Sequence, residues 1–267
     1  MKKILRTVHD IEHYLRGTTD DGFSFVYQDK IIKSAFQPIV NQDNTVFGFE
    51  ALMRVYDADG IRCQTEPFFT SRHLPLFDKI NIDRLARVIH LRNFAHFIHC
   101  GALFLNMSPD ALIDNRDHES GNNLLFPRVK ELGLNLKDIY FELLEHHCTD
   151  DKQLNAVLHG MRRKGVKLAM DDYGSQASSE VRALTVKPDI IKMDKSLLQE
   201  YLNGHPQRLN EALSVAKTVG AKVLLEGVED KKAYNVAMAL NVDFMQGYFF
   251  GRPLLLHEFM KQSQSAV

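Results

Sequence analysis

The sequence predicts an α/β protein whose main unit is a closed (β/α)8 barrel of the TIM type. Apolar runs of strand length alternate with amphipathic stretches over about 200 residues, an order typical of parallel sheets. The number of predicted strands is close to eight, as this barrel requires. Several amphipathic stretches end in glycine, as helices often do, at Gly133, Gly165 and Gly220. An open, doubly wound sheet with the same alternation remains the alternative.

Composition restricts the class of protein. The 267 residues carry a net charge of −1 and are 45% hydrophobic, which suits a globular domain and gives no reason to expect a nucleic-acid or membrane partner. No apolar run is long enough to cross a membrane. The N-terminal stretch "MKKILRTVHDIEHYLRG" lacks the apolar core of a signal peptide. Cys63, Cys100 and Cys148 form no CxxC pair, so we expect no disulfide framework and a reducing cytoplasm.

The first predicted elements form an N-terminal extension. Residues 1–34 are interpreted as a helix from Leu5 to Arg16, a turn and the extended stretch "FSFVYQ". We expect this extension to pack on the barrel domain, residues 35–267.

The barrel domain is predicted to begin with a hairpin, since "AFQPIV" and "TVFGFEALMRV" flank the turn "NQDN". The stretch "FDKINIDRLARVIHLRNFAHFI" has helical periodicity. Strands are then predicted at "ALFLN", "DIYFE", "VKLAMDD", "PDIIKMD", "AKVLLE" and "VDFMQ". Helices are predicted between them at "NNLLFPRVKELG", "DKQLNAVLHGMRRKG", "SEVRALTV", "QRLNEALSVAKTVG" and "KKAYNVAMAL".

Polar residues stand at the C-terminal ends of these apolar strands, and Glu50 adds a carboxylate to the second strand of the hairpin. In a barrel these ends converge on one mouth, where active sites of this fold lie. A single acid at such a place is often only the N-cap of the next helix, but so many oxygen donors together indicate a site. The strand-end residues are Asn106, Glu142, Asp171, Asp172, Lys192, Asp194, Glu226 and Gln246.

Four carboxylates around one mouth repel each other unless a cation lies among them. Oxygen ligands without cysteine or histidine suit Mg²⁺ or Mn²⁺ better than Zn²⁺. The adjacent Asp171 and Asp172 are suited to sharing a carboxylate between two ions, an arrangement used for in-line attack on phosphodiesters. Lys192 is then predicted to handle a proton or stabilise charge beside the attacking water.

An ordered series of motifs resembles the EAL family of bacterial cyclic di-GMP phosphodiesterases. "QPIV" precedes Glu50-Ala51-Leu52, and Arg54 follows. Further along stand "LNMS", "FELLE", "DDYGSQASS", "IIKMD", "LEGVE" and "QGYFFGRP". The resemblance covers about Gln37 to Pro253.

The resemblance implies a modified (β/α)8 barrel with its first strand antiparallel to the rest, and hydrolysis of cyclic di-GMP to linear pGpG. It implies a first metal bound by Glu50, Asn106, Glu142 and Asp171 and a second bound by Asp171 and Asp172, with Glu226 acting at the metals or through their waters. Glu50, Lys192 and Glu226 are the implied catalytic residues. Glu145 is the implied anchor of the loop after Asp172, and a homodimer is the implied assembly. The implied substrate-binding residues are Gln37, Leu52, Arg54, Asp194, Glu229 and Gln246.

The loop after "DDYG" departs from the family pattern. Ser175-Gln176-Ala177 stands where Thr-Gly-Tyr or a close variant is usual, and Gln176 restricts the loop if that position needs a positive φ. The departure bears on loop closure, dimer coupling and rate, and it removes no implied metal ligand. A receptor that binds cyclic di-GMP without cleaving it, or an EAL-like regulator that docks a protein partner, is therefore one alternative. A metal-assisted lyase or isomerase of the enolase type is another.

Two further motifs lack the spacing or the residues of the sites that they could suggest. "EHHC", from Glu145 to Cys148, fits no standard zinc spacing. Ser108 and Ser178 lack the GxSxG elbow of a serine hydrolase.

Overall fold

The strands of this protein, seen in a computed structural model, belong to one continuous sheet. The structure describes residues 3–20, 22–70, 74–114, 125–143, 151–175 and 180–265. The strands are β1 Leu15–Thr18, β2 Gly22–Tyr27, β3 Lys30–Asn41, β4 Val46–Tyr56, β5 Arg62–Cys63, β6 Ala102–Met107, β7 Ile139–Leu143, β8 Lys167–Tyr173, β9 Ile190–Met193, β10 Lys222–Leu225, β11 Phe244–Met245 and β12 Leu254–Leu255.

The helices lie mainly between these strands, as the sequence predicts. They are α1 Val8–Glu12, α2 Thr65–Thr70, α3 Leu76–Asn93, α4 Pro109–Ile113, α5 Leu125–Glu131, α6 Asp151–Arg163, α7 Glu180–Val186, α8 Lys195–Leu202, α9 Gln207–Val219, α10 Lys231–Ala239 and α11 Leu256–Ser265. No helix in these described ranges is both long and apolar enough to span a bilayer.

Eight of the strands close into a barrel. β4, β6, β7, β8, β9, β10 and β11 pair in parallel in that order. β3 closes the ring by pairing antiparallel with β4 on one side and β11 on the other. The α/β class, the TIM-type barrel and its antiparallel first strand are therefore confirmed, and the open sheet is excluded because β3 has a partner on both sides.

The hairpin of β3 and β4 sets the register of the first two barrel strands. Gln37 lies directly opposite Glu50, and Ala35 lies opposite Leu52. Asn44, in the turn, has a φ of 62°, a conformation that asparagine tolerates better than most residues. The predicted "NQDN" turn is thus present, and it places Gln37 and Glu50 on the same face of the sheet.

An apolar layer fills the barrel interior below the mouth. Phe104 stacks on Tyr140 with ring centroids 4.5 Å apart, and Phe47 stacks on Phe244 at 4.1 Å. Each barrel strand sends side chains alternately inward and outward, and inward side chains of neighbouring strands together form this layer. The buried members of this layer, called the floor, are Ile39, Ala102, Phe104, Tyr140, Ala169, Ile190, Leu224 and Phe244.

The N-terminal segment packs on α3. Leu5, Ile11 and Phe25 share a buried cluster with Leu85 and Ile89 of that helix. The predicted helix from Leu5 to Arg16 is wrong in its length: α1 ends at Glu12, and β1 begins at Leu15 because it pairs antiparallel with β2. Residue 34 lies within β3, and the division of the chain there stays a prediction.

Polar residues of α3 are buried along almost its whole length, which the sequence analysis did not anticipate. Asn81 accepts a hydrogen bond from the Leu5 amide and donates one to the Lys3 carbonyl. Arg84 donates to the Leu5 carbonyl, and Asn93 bonds both the amide and the carbonyl of Phe23. These side chains attach the N-terminal segment to the helix through its backbone.

Candidate active site

The predicted site residues form a second layer directly above the floor. Residues two apart on a strand share a face, so the residue that follows each floor residue by two also points into the barrel. These pairs are Phe104 and Asn106, Tyr140 and Glu142, Ala169 and Asp171, Ile190 and Lys192, Leu224 and Glu226, and Phe244 and Gln246. The antiparallel β3 and its partner β4 contribute Gln37 and Glu50 to this layer. The strand-end pattern therefore corresponds to one ring of polar side chains, called the polar ring.

Lys192 lies at the centre of the polar ring. Its Nζ is 2.6 Å from Asp171 Oδ1, 2.7 Å from Glu142 Oε1 and 2.9 Å from Glu226 Oε1. Glu50 Oε2 is slightly further away, at 3.6 Å. Only 1% of the lysine is exposed, and Glu142 is fully buried. One buried ammonium therefore faces four carboxylates.

This arrangement shifts the pKa values of the ring. Burial alone lowers the pKa of Lys192, but the surrounding carboxylates, Asp171 foremost, outweigh it and raise that pKa well above its ordinary value. Burial raises the pKa of Glu142, and the neighbouring carboxylate of Glu50 raises it further. Burial also raises the pKa of Glu226, against the opposing effect of Lys192. The lysine therefore stays protonated, and one positive charge does not hold all the carboxylates ionised.

Amide side chains complete the polar ring. Gln246 Nε2 donates to Glu50 Oε2 at 2.7 Å and to Gln37 Oε1 at 3.2 Å. Asn106 Nδ2 is 3.4 Å from Glu50 Oε1. Both oxygens of Glu50 thus have an amide neighbour, which orients the carboxylate toward the centre of the barrel.

Asp172 reaches the site through an irregularity in β8. The register between β8 and β9 shifts between Met170 and Tyr173, and Asp172 has a φ of 50°. A positive φ is unfavourable for a non-glycine residue and is common at functional sites. The bulge places Asp171, Asp172 and Glu226 so that one ligand oxygen from each lies within 4.8 Å of the others. Burial, with the charge of Asp171, raises the pKa of Asp172 to about 6.

The polar ring has the chemistry of a divalent-cation site. Among the described residues, neither buried oxygen of Glu142 has a hydrogen-bond partner, although Oε1 is in ionic contact with Lys192. The oxygens of Asp171, Asp172 and Glu226 converge. Carboxylate and amide oxygens without thiolate or imidazole are ligands that hard cations prefer, and additional positive charge would hold the carboxylates in their ionised form.

The other predicted substrate residues have different environments in the structure. Leu52 and Arg54 are half-buried on β4, and Arg54 Nη1 donates to the carbonyl of Met53. Asp194 caps α8 by accepting a hydrogen bond from the Ser196 amide at 2.9 Å, the N-cap role that strand-end acids often have. Glu229 is exposed. Their substrate roles stay predictions, and the predicted loop anchor, Glu145, lies outside the described residues, as do Gln176 and Ala177.

The turn after β11 supports the site through contacts that the sequence does not predict. Gln37 Nε2 donates to the Gly251 carbonyl at 3.2 Å, and a Cβ on Gly247 would lie 2.0 Å from the Val228 carbonyl oxygen. The motif "QGYFFGRP" contains both glycines, but it does not show which backbone they approach. The signal was present as two glycines in one short stretch, which often marks close backbone approach.

Curated proteins with similar sequences include cyclic di-GMP phosphodiesterases. Probable cyclic di-GMP phosphodiesterase PdeB of Escherichia coli K12 is 25% identical over 271 residues, covering 98% of this chain and 49% of its own length. The first three curated relatives are matched over 35%, 52% and 49% of their lengths, so the chain spans about a third to a half of them.

Solved structures share the fold. Bacillus subtilis YkuI, solved with an EAL domain in complex with the substrate c-di-GMP and calcium, has a TM-score of 0.72 at 24% identity, covering 88% of this chain and 62% of that one. Klebsiella pneumoniae BlrP1, solved as a complex with manganese and cy-diGMP, has a TM-score of 0.71 at 24% identity, covering 86% and 57%.

The comparison with protein families agrees with the strand-end motifs. The model of the EAL domain matches residues 26–253, a range that contains every predicted site residue from Gln37 to Gln246. The chain belongs to the EAL domain family.

Proposed function

We propose that this protein hydrolyses cyclic di-GMP to linear 5'-pGpG with the help of divalent cations. The observation that supports this most is the polar ring, in which Glu50, Glu142, Asp171 and Glu226 surround Lys192 within 3.6 Å. A ring of carboxylates with one central lysine can bind cations and polarise a phosphodiester beside them. Relatives named as cyclic di-GMP phosphodiesterases add support from sequence.

Two Mg²⁺ or Mn²⁺ ions are the proposed cofactors. Glu50, Asn106, Glu142 and Asp171 would hold the first, and Asp171 with Asp172 would hold the second, with Glu226 acting directly or through water. When bound, such ions supply Lewis acidity and lower the pKa of a coordinated water. The structures of relatives solved with calcium or manganese support divalent cations as a class.

Lys192 has the central catalytic role in this proposal. Its protonated Nζ is fixed by three carboxylate oxygens within 2.9 Å, so it would orient the nucleophilic water and stabilise charge developing on the phosphate. A preorganised cation in a buried site acts more strongly than one in water. Gln246 assists by holding Glu50 in place.

The substrate contacts are proposed on the rim of the mouth. Arg54, half-buried beside Glu50, would pair with a phosphate or base, since a guanidinium suits both. Gln246 would contact the dinucleotide through its Oε1, which has no hydrogen-bond partner among the described residues, and Gln37 would do so beside it. Leu52, Asp194 and Glu229 would complete the binding surface.

The proposed cellular role is to lower cyclic di-GMP in bacterial motility and biofilm signalling, in the cytoplasm and as a homodimer. Light scattering at micromolar concentration tests the assembly. A mass of about 61 kDa, twice the 30.6 kDa of one chain, supports the dimer, and a mass near 30.6 kDa contradicts it.

A hydrolysis assay tests the function. The purified protein is freed of metal and incubated with cyclic di-GMP, and Mg²⁺ or Mn²⁺ is then restored. We expect pGpG only after restoration and no turnover by Glu50→Ala. Glu211→Ala, at an exposed position on α9, is the matched control and should retain activity. Turnover without metal, or by Glu50→Ala, contradicts the proposal.

A non-hydrolysing receptor is the second candidate, favoured by the unusual loop sequence Ser175-Gln176-Ala177. Calorimetry distinguishes the two functions. Tight binding of cyclic di-GMP with no pGpG after hours in Mn²⁺ would favour the receptor.

A further inference from the structure

The turn after β11 carries an exposed aromatic ring on a tightly held backbone. The amides of Phe250 and Gly251 both donate to the Gly247 carbonyl, at 3.1 and 3.2 Å. The backbone of Gly247 packs against Val228, leaving no space for a side chain, and the Phe249 amide donates to the Val228 carbonyl. Tyr248 therefore belongs to a turn that is stabilised by its own backbone hydrogen bonds and by a contact with Val228.

This turn is attached to the mouth of the barrel. Its Gly251 carbonyl accepts the hydrogen bond of Gln37, which belongs to the polar ring. Gln246, two residues before Tyr248, also belongs to the polar ring and donates to Glu50. Tyr248 thus lies in a turn that contacts the polar ring on both sides, through Gln246 before it and Gly251 after it.

A cation lies over the ring of Tyr248. The guanidinium carbon of Arg252 is 4.8 Å from the ring centroid, a cation–π distance, while 52% of Tyr248 remains exposed. In the described part of the chain, Arg252 makes no hydrogen bond or ion pair.

We infer that Tyr248 and Arg252 form a stacking platform for one guanine base of the dinucleotide, a subsite that deepens the proposed function and rests on it. An aromatic face stacks on a base with little sequence preference. The guanidinium of Arg252 lies over one face of the ring, so the base would stack on the opposite face, with the cation–π contact supporting the ring from behind. Arg54, half-buried on β4, would supply positive charge for the phosphates. One exposed tyrosine would need no explanation. Tyr248 differs because its turn is hydrogen-bonded internally, Arg252 lies over its ring and the turn contacts the polar ring.

Enzyme kinetics with three variants test this subsite. For Tyr248→Leu we expect the KM for cyclic di-GMP to rise by ~10- to 100-fold, the range of one lost base stack, while kcat stays near wild type because no polar-ring residue changes. Tyr248→Phe should keep the wild-type KM, since stacking needs the ring and not the hydroxyl. Phe249→Leu is the matched control: Phe249 is the next residue, is 41% exposed, and stacks on Tyr234 of α10.

Binding measured by calorimetry in Ca²⁺ extends the test to a protein that does not turn over. The dissociation constants should follow the same order, with only Tyr248→Leu weakened. A wild-type protein that neither binds nor cleaves cyclic di-GMP defeats the proposed function itself. A wild-type protein that binds it, with Tyr248→Leu at the wild-type KM and dissociation constant, overturns the stacking platform alone. Equal weakening by Phe249→Leu would also overturn it, because the effect would then come from the turn.

Discussion

Two layers inside the same barrel, the floor and the polar ring, lie two residues apart along most of the barrel strands and have opposite chemistry. The floor consists of apolar and aromatic side chains, and its rings stack at 4.1 and 4.5 Å. The polar ring above it has four carboxylates around one lysine. Burying apolar surface stabilises the fold, whereas burying charges costs free energy unless they are paired. The comparison teaches that stability and chemistry are assigned to adjacent layers of one scaffold.

Lys192→Met removes the central charge of the polar ring. We expect turnover to fall by at least ~100-fold, because the positioned proton-handling or charge-stabilising group is lost. Without added metal, we expect the free energy of unfolding to fall by roughly 3–5 kcal/mol, because buried carboxylates lose their partner. Urea unfolding and the pGpG assay measure the two effects.

Lys222→Met is the control for that variant. Lys222 is exposed on the neighbouring β10, so its loss should change stability by no more than about 0.5 kcal/mol. Activity of Lys192→Met above a tenth of wild type would contradict the central role of this lysine.

Phe104→Ala creates a cavity in the floor. Phe104 is fully buried, so truncation leaves a cavity and should cost roughly 3–5 kcal/mol of unfolding free energy. Phe249→Ala, at a partly exposed ring, should cost much less. If both variants lose the same stability in urea, the floor has no special contribution.

Glu142→Gln tests metal binding separately from folding. Burial holds the pKa of Glu142 well above its ordinary value, so the neutral amide should keep the stability of the metal-free protein. Wild type should gain about 2–3 kcal/mol at a Mn²⁺ concentration 100 times its dissociation constant, and the variant should gain far less. Thermal unfolding with and without Mn²⁺ measures this gain, with Glu211→Gln as control. A full Mn²⁺ gain in Glu142→Gln would remove Glu142 from the cation site.

The smallest expected effect concerns a buried titratable group outside both layers. Burial lowers the pKa of His90 to about 3, with Arg87 and Arg54 adding to the shift; Ser34 Oγ lies 2.8 Å from its Nδ1. Below about pH 6.5, His90 is protonated in the unfolded chain but stays neutral in the folded chain. The free energy of unfolding therefore falls as the pH falls below that value. Between pH 7 and 5 the loss should be about 2 kcal/mol.

His90→Gln tests this pH dependence, because glutamine does not titrate. Urea unfolding at pH 7, 6 and 5 should give a flatter profile than wild type. Parallel profiles would mean that His90 does not contribute the acid sensitivity.

The strand-end pattern predicted the polar ring because a strand has a period of two and a parallel barrel gathers its C-terminal ends. The pattern could not show that Gln37 bonds Gly251, 214 residues away, since no local preference encodes such contacts. The sequence-based helix from Leu5 to Arg16 was too long because pairing with β2 outweighed helical periodicity after Glu12.

Helices α8 and α11 were also missed. The signal for α8 was Asp194 followed by Leu197 and Leu198: the aspartate caps the helix and the leucines are buried. Asp194 was interpreted instead as a strand-end acid and an implied substrate-binding residue. Asp194 follows a strand and precedes a helix, so the sequence alone allows either role. In the structure it is the N-cap of α8.

The attachment of the N-terminal segment to α3 has a consequence for sequence change. Asn81, Arg84 and Asn93 bond the backbone of this segment, and backbone amides and carbonyls are the same whatever side chains a segment carries. Substitutions at exposed positions of the segment therefore leave these bonds in place, whereas a change at any of the three α3 residues strands a buried polar group. We therefore expect natural sequences to vary at the exposed positions of the N-terminal segment and to be restricted at Asn81, Arg84 and Asn93. The surface of the segment can then change while its attachment to α3 is kept.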